Sequence, residues 1–230
     1  GWMSITGPIG THSMLAFAIS KYGTDEQKRR WLPDLATGNK RGGLALTEPS
    51  GGSDVAGIQT SAVRDGEEYV INGTKQFITN GQHGNVFLLA VKTDTEINPQ
   101  HKGISAFIAE KGRGLSSGAK LNKLGYRGID TAELILKDYR ISSDELIGGR
   151  EGEGFYQIMD GLETGRINVA ARAVGVAQAA FDAAIRYSQQ RQTFGRAIST
   201  RQSIQNMLAD MGTKIHAARL MTNDAARRKD

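Results

Sequence analysis

The hydrophobic period of the chain changes twice along its length, and these two changes restrict the possible fold more than any other feature. Residues 1 to about 40 carry apolar side chains at the spacing of an amphipathic helix. From about 41 to 140 apolar and polar residues alternate as in a strand, and beyond about 150 the helical period returns. Each period fills one contiguous block, which indicates an α+β fold in the order α–β–α.

Three domains are expected from these blocks. Residues 1–40 are interpreted as the end of a helical domain, residues 41–150 as an antiparallel β-barrel or sandwich, and residues 151–230 as the first helices of a C-terminal bundle. A chain of 230 residues can bury more than one core. It begins without methionine and ends within a helical pattern that has no glycine or proline stop, so we expect a piece of a longer protein.

Boundary signals divide the first block into two helices. Gly23 is a C-cap for the first helix, and Thr24 followed by Gln27 forms a capping box at the start of the second. Gly38 marks the end of the second helix. Pro33 lies inside it and is expected to kink or break it, because proline cannot donate the backbone hydrogen bond of a helix interior.

Two Asn-Gly dipeptides mark predicted turns between strands of the β block. Asn72-Gly73 separates the alternating segments EEYVI and TKQFIT and predicts a two-residue hairpin. Asn80-Gly81 predicts a second turn before NVFLLAVKT, and GISAFIAE and TAELILKDYRI continue the alternation. Short strands without intervening helices favour an antiparallel arrangement.

Composition excludes several function classes. The chain has no cysteine, and its four histidines are scattered, so we expect neither a disulfide framework nor a metal site. Its net charge of +5 comes from cations interleaved with acids, which suits an anionic small molecule better than a nucleic acid. No segment is apolar enough to span a bilayer, and no targeting signal is evident, so we expect no membrane association.

The loop LTEPSGGSDVAG is the first candidate site. Its glycines permit close approach of a ligand to the backbone, successive N–H groups can form an anion-binding nest, and Thr47 and Ser53 add hydroxyl donors. The same residues also make an ordinary turn, and composition does not decide between the two interpretations.

Two further segments have both a plain and a functional interpretation. In KQFITNG, residues 75–81, an aromatic side chain and Thr79 could line a planar ring, although a strand ending in a turn is the simpler interpretation. GREGEGF resembles a phosphate loop, but Glu151 and Glu153 would repel a phosphate, which favours a flexible connector.

Charged residues in the last block allow similar alternatives. Glu163 and Arg166 lie one helical turn apart, either as a surface ion pair or as a pair that faces an anionic ligand. RQTFGR, residues 191–196, is either a plain helix–helix turn or an arginine-bearing loop that suits a nucleotide or pyrophosphate.

Taken in order, these motifs resemble the acyl-CoA dehydrogenase family of flavoproteins. LTEPSGGSDVAG resembles the first signature of that family, and RQTFGR lies in its second. TKQFITNG, LGYRGIDTAEL and LETGRINVAARAVGVAQ are similar to segments between and around them, so the resemblance runs through nearly the whole chain. The architecture it implies, a helical domain, a β domain and a four-helix domain, agrees with the α–β–α order.

The resemblance implies an FAD cofactor and an acyl-CoA substrate. Residues implied to contact the flavin within one subunit are Leu46, Thr47, Ser53, Phe77, Ile78 and Thr79. Residues implied to reach the FAD of a neighbouring subunit, in a homodimer or homotetramer, are Arg191, Thr193, Phe194 and Gln202. Ser53, Glu163 and Arg166 are implied to lie near the acyl-CoA.

The implied reaction is α,β-dehydrogenation of the thioester, with a carboxylate as base. Relatives place that carboxylate either far downstream or immediately before the arginine of the long helix. Here the second position is Gly165, so we expect no catalytic base within the 230 residues, with Glu163 as the one weak candidate. Ile129 also stands where the family often has serine near the substrate.

Other functions remain open from sequence. The chain could belong to an acyl-CoA oxidase, to a relative resembling flavin monooxygenases, or to a catalytically silent homologue that binds FAD or acyl-CoA. The resemblance further implies an electron-transfer flavoprotein as a possible partner. It also implies a bacterial cytoplasmic or mitochondrial matrix location.

Overall fold

The computed structural model describes residues 3–229 of the chain. They form two compact units. The larger unit is Ser4–Glu163, and the smaller unit combines Met3 with Thr164–Asp230, of which residues up to 229 are described.

The larger unit begins with two helices. Helices α1 (Thr6–Tyr22) and α2 (Asp25–Thr37) end at Gly23 and Gly38 as predicted, and Gly38 adopts a left-handed φ of 77°. The predicted capping box is present: the Thr24 side chain accepts from the backbone N–H of Gln27, whose side chain accepts from the Thr24 N–H. Pro33 was expected to kink or break the second helix, and it does not break it, because α2 continues through it to Thr37.

Seven strands follow and form one curled sheet. The strands are β1 (Gly42–Ala45), β2 (Ser61–Asp65), β3 (Glu68–Thr79), β4 (Val86–Lys92), β5 (Ile104–Glu110), β6 (Leu115–Lys120) and β7 (Thr131–Ser142). Their order in the sheet is β1-β4-β2-β3-β7-β6, and β5 also pairs with β4. Most pairs are antiparallel, whereas β4 pairs in parallel with both β1 and β2.

The hairpin predicted at Asn72-Gly73 is wrong. Strand β3 runs straight through both residues, and the actual turn lies earlier, at Gly66, between the paired residues Asp65 and Glu68. Gly73 instead adjoins a register shift against β7, where a side chain would collide with Thr60. The dipeptide therefore marks an irregularity inside a strand, a second common use of glycine. The turn predicted at Asn80-Gly81 is confirmed.

Two apolar clusters lie on the two faces of the sheet. Phe87, Leu89 and Val91 of β4 belong to one cluster, which also contains residues of β3, β5 and β7. Val86, Leu88 and Ala90 belong to the other, together with side chains of α1 and α2. Because both faces of β4 are buried from Val86 to Val91, the sequence of this stretch is continuously apolar.

The segment after the sheet is packed, contrary to the flexible connector expected from GREGEGF. The Gly152 N–H donates to Ser105 Oγ at 2.9 Å, and Tyr69 hydrogen-bonds Glu151. A Cβ on Gly154 would lie 2.4 Å from the carbonyl carbon of Ser105. The glycines are needed here for close approach to β5.

The smaller unit is helical apart from one short hairpin. The unit boundary falls within helix α3 (Gly154–Gln190), and helix α4 (Gln202–Lys229) follows. Strands β8 (Gln192–Thr193) and β9 (Arg196–Ala197) form the hairpin between them. The blocks therefore follow the predicted α–β–α order and confirm the fold class. None of the described helices has the length and apolar character required to cross a membrane.

Candidate functional site: a glycine loop beside a strand bulge

The glycine loop, residues 46–53, leaves the sheet directly after β1. It is closed by a pair of backbone hydrogen bonds between Glu48 and Gly51, at 3.0 and 3.1 Å. A Cβ on Gly51 would meet nothing within 4 Å, whereas one on Gly52 would lie 3.2 Å from Thr47 Cγ2. Gly51, Gly52 and Ser53 are exposed, so the backbone of this loop is open to a ligand.

Phe77 lies on a β-bulge near the end of β3. Lys75 pairs with Leu134 and Ile78 with Ala132, so three steps on β3 correspond to two on β7. Phe77 takes a positive φ of 60°, and its side chain remains 61% exposed, while Ile78 is buried in the core. Simple alternation would place Phe77 on the same side as Lys75, and the bulge turns it outward.

The glycine loop and the bulge are joined directly. The backbone N–H of Gln76 donates to Thr47 O at 2.7 Å, and Lys75 Nζ donates to Leu46 O at 3.2 Å. The structure therefore brings Leu46 and Thr47 beside the residues that precede Phe77. The Leu46 and Ile78 side chains are buried in the core, so Phe77 and the half-buried Thr79 are the predicted wall residues with accessible side chains.

A buried ion pair beneath this junction was not predicted from the sequence. Lys75 Nζ lies 2.6 Å from Glu48 Oε1, and both side chains are almost wholly buried. Burial lowers the pKa of Lys75 to about 8. Burial would raise the pKa of Glu48, but the Lys75 ammonium and the Gln59 N–H outweigh it, so that pKa lies below its ordinary value.

The turn after β3 is held by hydrogen bonds from four side chains. Asn80, with a positive φ of 63°, donates from Nδ2 to Gly42 O at 2.7 Å. Lys111 Nζ and Ser117 Oγ donate to Gly81 O at 2.7 and 2.6 Å. The Asp130 carboxylate accepts the Gln82 N–H at 2.7 Å. This network fixes the exit from the bulge strand.

The second group of predicted residues lies in the smaller unit. Phe194 and Gly195 form the two-residue turn of the β8–β9 hairpin; Phe194 has a positive φ of 53° and is 95% exposed. Arg201 donates to the Thr193 hydroxyl at 2.8 Å and lies over the Phe194 ring. Arg191, which precedes the hairpin, and Gln202, which begins α4, are both exposed.

Two residues predicted near a substrate lie on α3. Glu163 ends the larger unit and Arg166 belongs to the smaller one, with Gly165 between them. Ile129 is buried. A Cβ on Gly7 would lie 2.2 Å from its Cδ1, so Ile129 packs against α1.

One cavity of the larger unit is lined by none of the predicted site residues. It has a volume of about 540 Å³, and Arg30, Trp31, Arg64, Tyr69 and Glu145 are among its lining residues. Across residues 3–229, no group of three or more histidine, aspartate or glutamate side chains could hold a metal ion.

Comparison with known proteins defines the class of this chain. Models of the acyl-CoA dehydrogenase N-terminal, middle and C-terminal domains match residues 1–39, 43–139 and 152–230. The chain belongs to the acyl-CoA dehydrogenase family.

Three individual members of this family illustrate how similar the chain is to known proteins. The chain is 44% identical to the short-chain specific acyl-CoA dehydrogenase of Clostridium acetobutylicum, over 93% of this chain and 56% of that protein. It is 42% identical to the NADH-dependent acryloyl-CoA reductase of Anaerotignum propionicum, over 99% and 58%. The butyryl-CoA dehydrogenase structure from Megasphaera elsdenii matches with a TM-score of 0.94 and 38% identity, over 99% and 59%. The chain thus spans a little over half the length of these relatives.

Proposed function

We propose that this chain is the flavin-binding part of an enzyme that oxidises or reduces the α,β-carbon pair of an acyl-CoA thioester. The observation that carries the proposal is shared by Phe77 and Phe194. Both are exposed aromatic residues on left-handed backbone, a conformation that costs a non-glycine residue about 1–2 kcal/mol. Such a cost at exposed rings is typical of residues held ready for a ligand.

The residues around Phe77 suit an isoalloxazine ring. The exposed Phe77 ring offers an apolar wall, Thr79 offers a hydroxyl donor, and the exposed backbone at Gly52 offers an N–H group to the polar edges of the ring system. FAD, when bound, supplies the hydride acceptor of the reaction. We assign Leu46, Thr47, Ser53, Phe77, Ile78 and Thr79 to this site, with Leu46 and Ile78 contributing backbone.

The hairpin residues of the smaller unit are assigned to the FAD of a neighbouring subunit. An arginine guanidinium, a threonine hydroxyl and an exposed amide group suit a pyrophosphate and its nucleotide. We therefore propose a homodimer or homotetramer in which Arg191, Thr193, Phe194 and Gln202 complete the site of the partner copy.

The chemistry requires a base and a stabilised thioester oxygen. The base takes the α proton while the β hydrogen leaves with its electron pair, and hydrogen bonds must stabilise negative charge on the thioester oxygen. Gly165 has no side chain to act as that base, so we place the base outside these 230 residues. We assign Ser53, Glu163 and Arg166 to binding of the acyl-CoA.

The proposed substrate is an acyl-CoA with a short acyl chain, because relatives with comparable sequence identity to this chain are named short-chain specific acyl-CoA dehydrogenases. Another relative is named a reductase, so the direction of the reaction is set separately from the substrate class. We also propose an electron-transfer flavoprotein as the redox partner, in a bacterial cytoplasm or mitochondrial matrix.

The test is the absorbance of the full-length protein after reconstitution with FAD and removal of the excess. We expect bands near roughly 370 and 450 nm, which anaerobic butyryl-CoA bleaches. Phe77→Ala should weaken FAD binding, whereas the control Val63→Ala, also an exposed apolar residue of the sheet, should not. A full-length protein that stays colourless would overturn the proposal.

The alternatives predict different traces. An oxidase would regain its flavin bands quickly when air is admitted after bleaching. A silent homologue would show the bands, but no acyl-CoA between four and about eight carbons would bleach them. Persistent bleaching in air is the result expected for a dehydrogenase.

A further inference from the structure

We propose that Glu48 and Lys75 form a positioning pair that sets the glycine loop in its flavin-binding shape before the flavin arrives. This inference rests on the proposed function of the loop. Neither residue is among those assigned to contact FAD, and both act through the backbone of their neighbours.

The pair is sealed from solvent. The Lys75 side chain is 0% exposed and the Glu48 side chain 3%, and their charged atoms lie 2.6 Å apart. The ammonium has a second acceptor in Leu46 O at 3.2 Å. In so dry a setting each charge depends on the other, since an unpaired buried charge is costly.

Glu48 holds the far end of the segment as well. Its Oε2 accepts the N–H of Gln59 at 2.6 Å, and its Oε1 accepts the N–H of Thr60 at 3.0 Å. One carboxylate therefore joins the glycine loop to the two residues immediately before β2, eleven and twelve residues further along the chain. Gly51, Gly52 and Ser53 lie between these anchors and stay exposed.

Lys75 and its neighbour hold the near end. Lys75 bonds to Leu46, and Gln76 donates to Thr47 O at 2.7 Å, one residue before Phe77. The glycine loop and the bulge that carries Phe77 are therefore both anchored to the buried Glu48–Lys75 pair. A displacement of this pair would change the position of the loop relative to Phe77.

Stability alone does not account for such a pair. Replacing a buried ion pair by well-packed apolar residues is often neutral or stabilising, whereas a half-removed pair is strongly unfavourable. What a fixed pair adds is one defined arrangement of the backbone that it touches. Here the backbone it touches is that of the proposed flavin loop.

The first experiment measures FAD affinity of the full-length protein by quenching of flavin fluorescence. We expect Lys75→Met and Glu48→Gln to weaken FAD binding at least tenfold and to alter the absorbance band shape of the flavin that remains bound. In the double variant, removal of the second charge should recover part of the lost affinity.

Glu145→Gln is the matched control. Glu145 is also a buried carboxylate of the larger unit, but it bonds to Trp31 and Arg30 of α2 rather than to residues of the loop. It should leave FAD affinity and band shape within twofold of the wild type. Equal losses in all three single variants would mean general destabilisation and would overturn the proposal, as would wild-type affinity in both pair variants.

If the variants fail to fold, amide hydrogen exchange of the wild-type protein tests the proposal instead. After flavin removal, the amide hydrogens of Gln59, Thr60 and Gln76 should exchange as slowly as those of the sheet interior. Fast exchange that slows only when FAD is added would show that the flavin shapes the loop, and would overturn the proposal. A wild-type protein that never binds FAD would overturn both this inference and the proposed function. Bound FAD with unaffected pair variants would overturn the inference alone.

Discussion

Glu48 and Glu145 are both buried carboxylates of the larger unit, yet their pKa values move in opposite directions. Burial raises the pKa of Glu145, and Arg30 and Trp31 offset only part of that rise. At Glu48 the lysine and the backbone N–H donors exceed the effect of burial. Both have a cationic partner, so the presence of a partner is not what separates them.

The difference lies in where the partners are. The guanidinium of Arg30 is 2.5 Å from Glu145 but its side chain is 61% exposed, so water shares its charge. The Lys75 side chain is fully buried, so water does not screen its charge, and the Glu48 carboxylate also accepts two backbone N–H hydrogen bonds. Buried donors in fixed positions stabilise the charged form of a carboxylate. The backbone that supplies those donors is held in place by the same hydrogen bonds.

The largest expected effect comes from breaking the Glu48–Lys75 pair on one side. Lys75→Met should lower the free energy of unfolding by about 3–5 kcal/mol, because it leaves the Glu48 carboxylate buried and uncompensated. Urea denaturation of the full-length protein measures it. A loss below about 1 kcal/mol would mean that water reaches Glu48 and that the two carboxylates are alike.

The comparison also predicts opposite pH dependences. The folded pKa of Glu48 is below its unfolded value of about 4.5, so its contribution to stability is present above that pH and lost as pH falls through the folded pKa. The folded pKa of Glu145 is raised, so its contribution is present below about 4.5 and lost as pH rises through the folded value.

Denaturation of the wild type, Glu48→Gln and Glu145→Gln between about pH 3 and 6 separates the two. The stability advantage of wild type over Glu48→Gln should shrink on acidification. Its advantage over Glu145→Gln should grow under the same change. Slopes of the same sign would contradict the comparison.

A smaller effect is expected at the bulge that the pair supports. Phe77→Gly should raise the free energy of unfolding of the flavin-free protein by about 0.5–1 kcal/mol, since glycine relieves the positive φ at some cost in chain entropy. The same change should weaken FAD binding. Val63→Gly, at an exposed strand position without positive φ, should destabilise instead. Destabilisation by Phe77→Gly would show that the bulge is unstrained.

Local signals predicted the fold well where residues close in sequence decide the conformation. The Thr24–Gln27 capping box needs only a hydroxyl and an amide three residues apart, and it formed as expected. Asn72-Gly73 failed because the same dipeptide serves a hairpin or an irregular strand, and the pairing of β3 with β7 decides between them. That pairing is a long-range property.

The candidate site was only partly predictable for the same reason. The motif of the loop allowed a binding site or a plain turn, and Phe77 was assigned through the family resemblance, whereas Lys75 resembles an ordinary polar residue of a strand. It shares the parity of the buried Tyr69 and Ile71, so alternation was a usable signal for an inward lysine in need of a carboxylate. That its partner is Glu48, 27 residues earlier, follows from packing that no local pattern contains.

The smallest expected effect concerns the exposed ion pairs of Arg140, in contrast to the buried Glu48–Lys75 pair. Arg140 bonds Asp65 and Glu68 at 2.9 Å each, but all three side chains are about half exposed. Arg140→Ala should therefore change the denaturation midpoint less than Lys75→Met or Phe77→Gly does, and the change should vanish in 1 M salt, where the screening length is about 3 Å. The effect of Lys75→Met should persist in that salt, because screening does not reach a pair without solvent. If salt removed both effects equally, the Glu48–Lys75 pair would behave as a solvent-screened surface contact, and it would not be what fixes the arrangement of the loop.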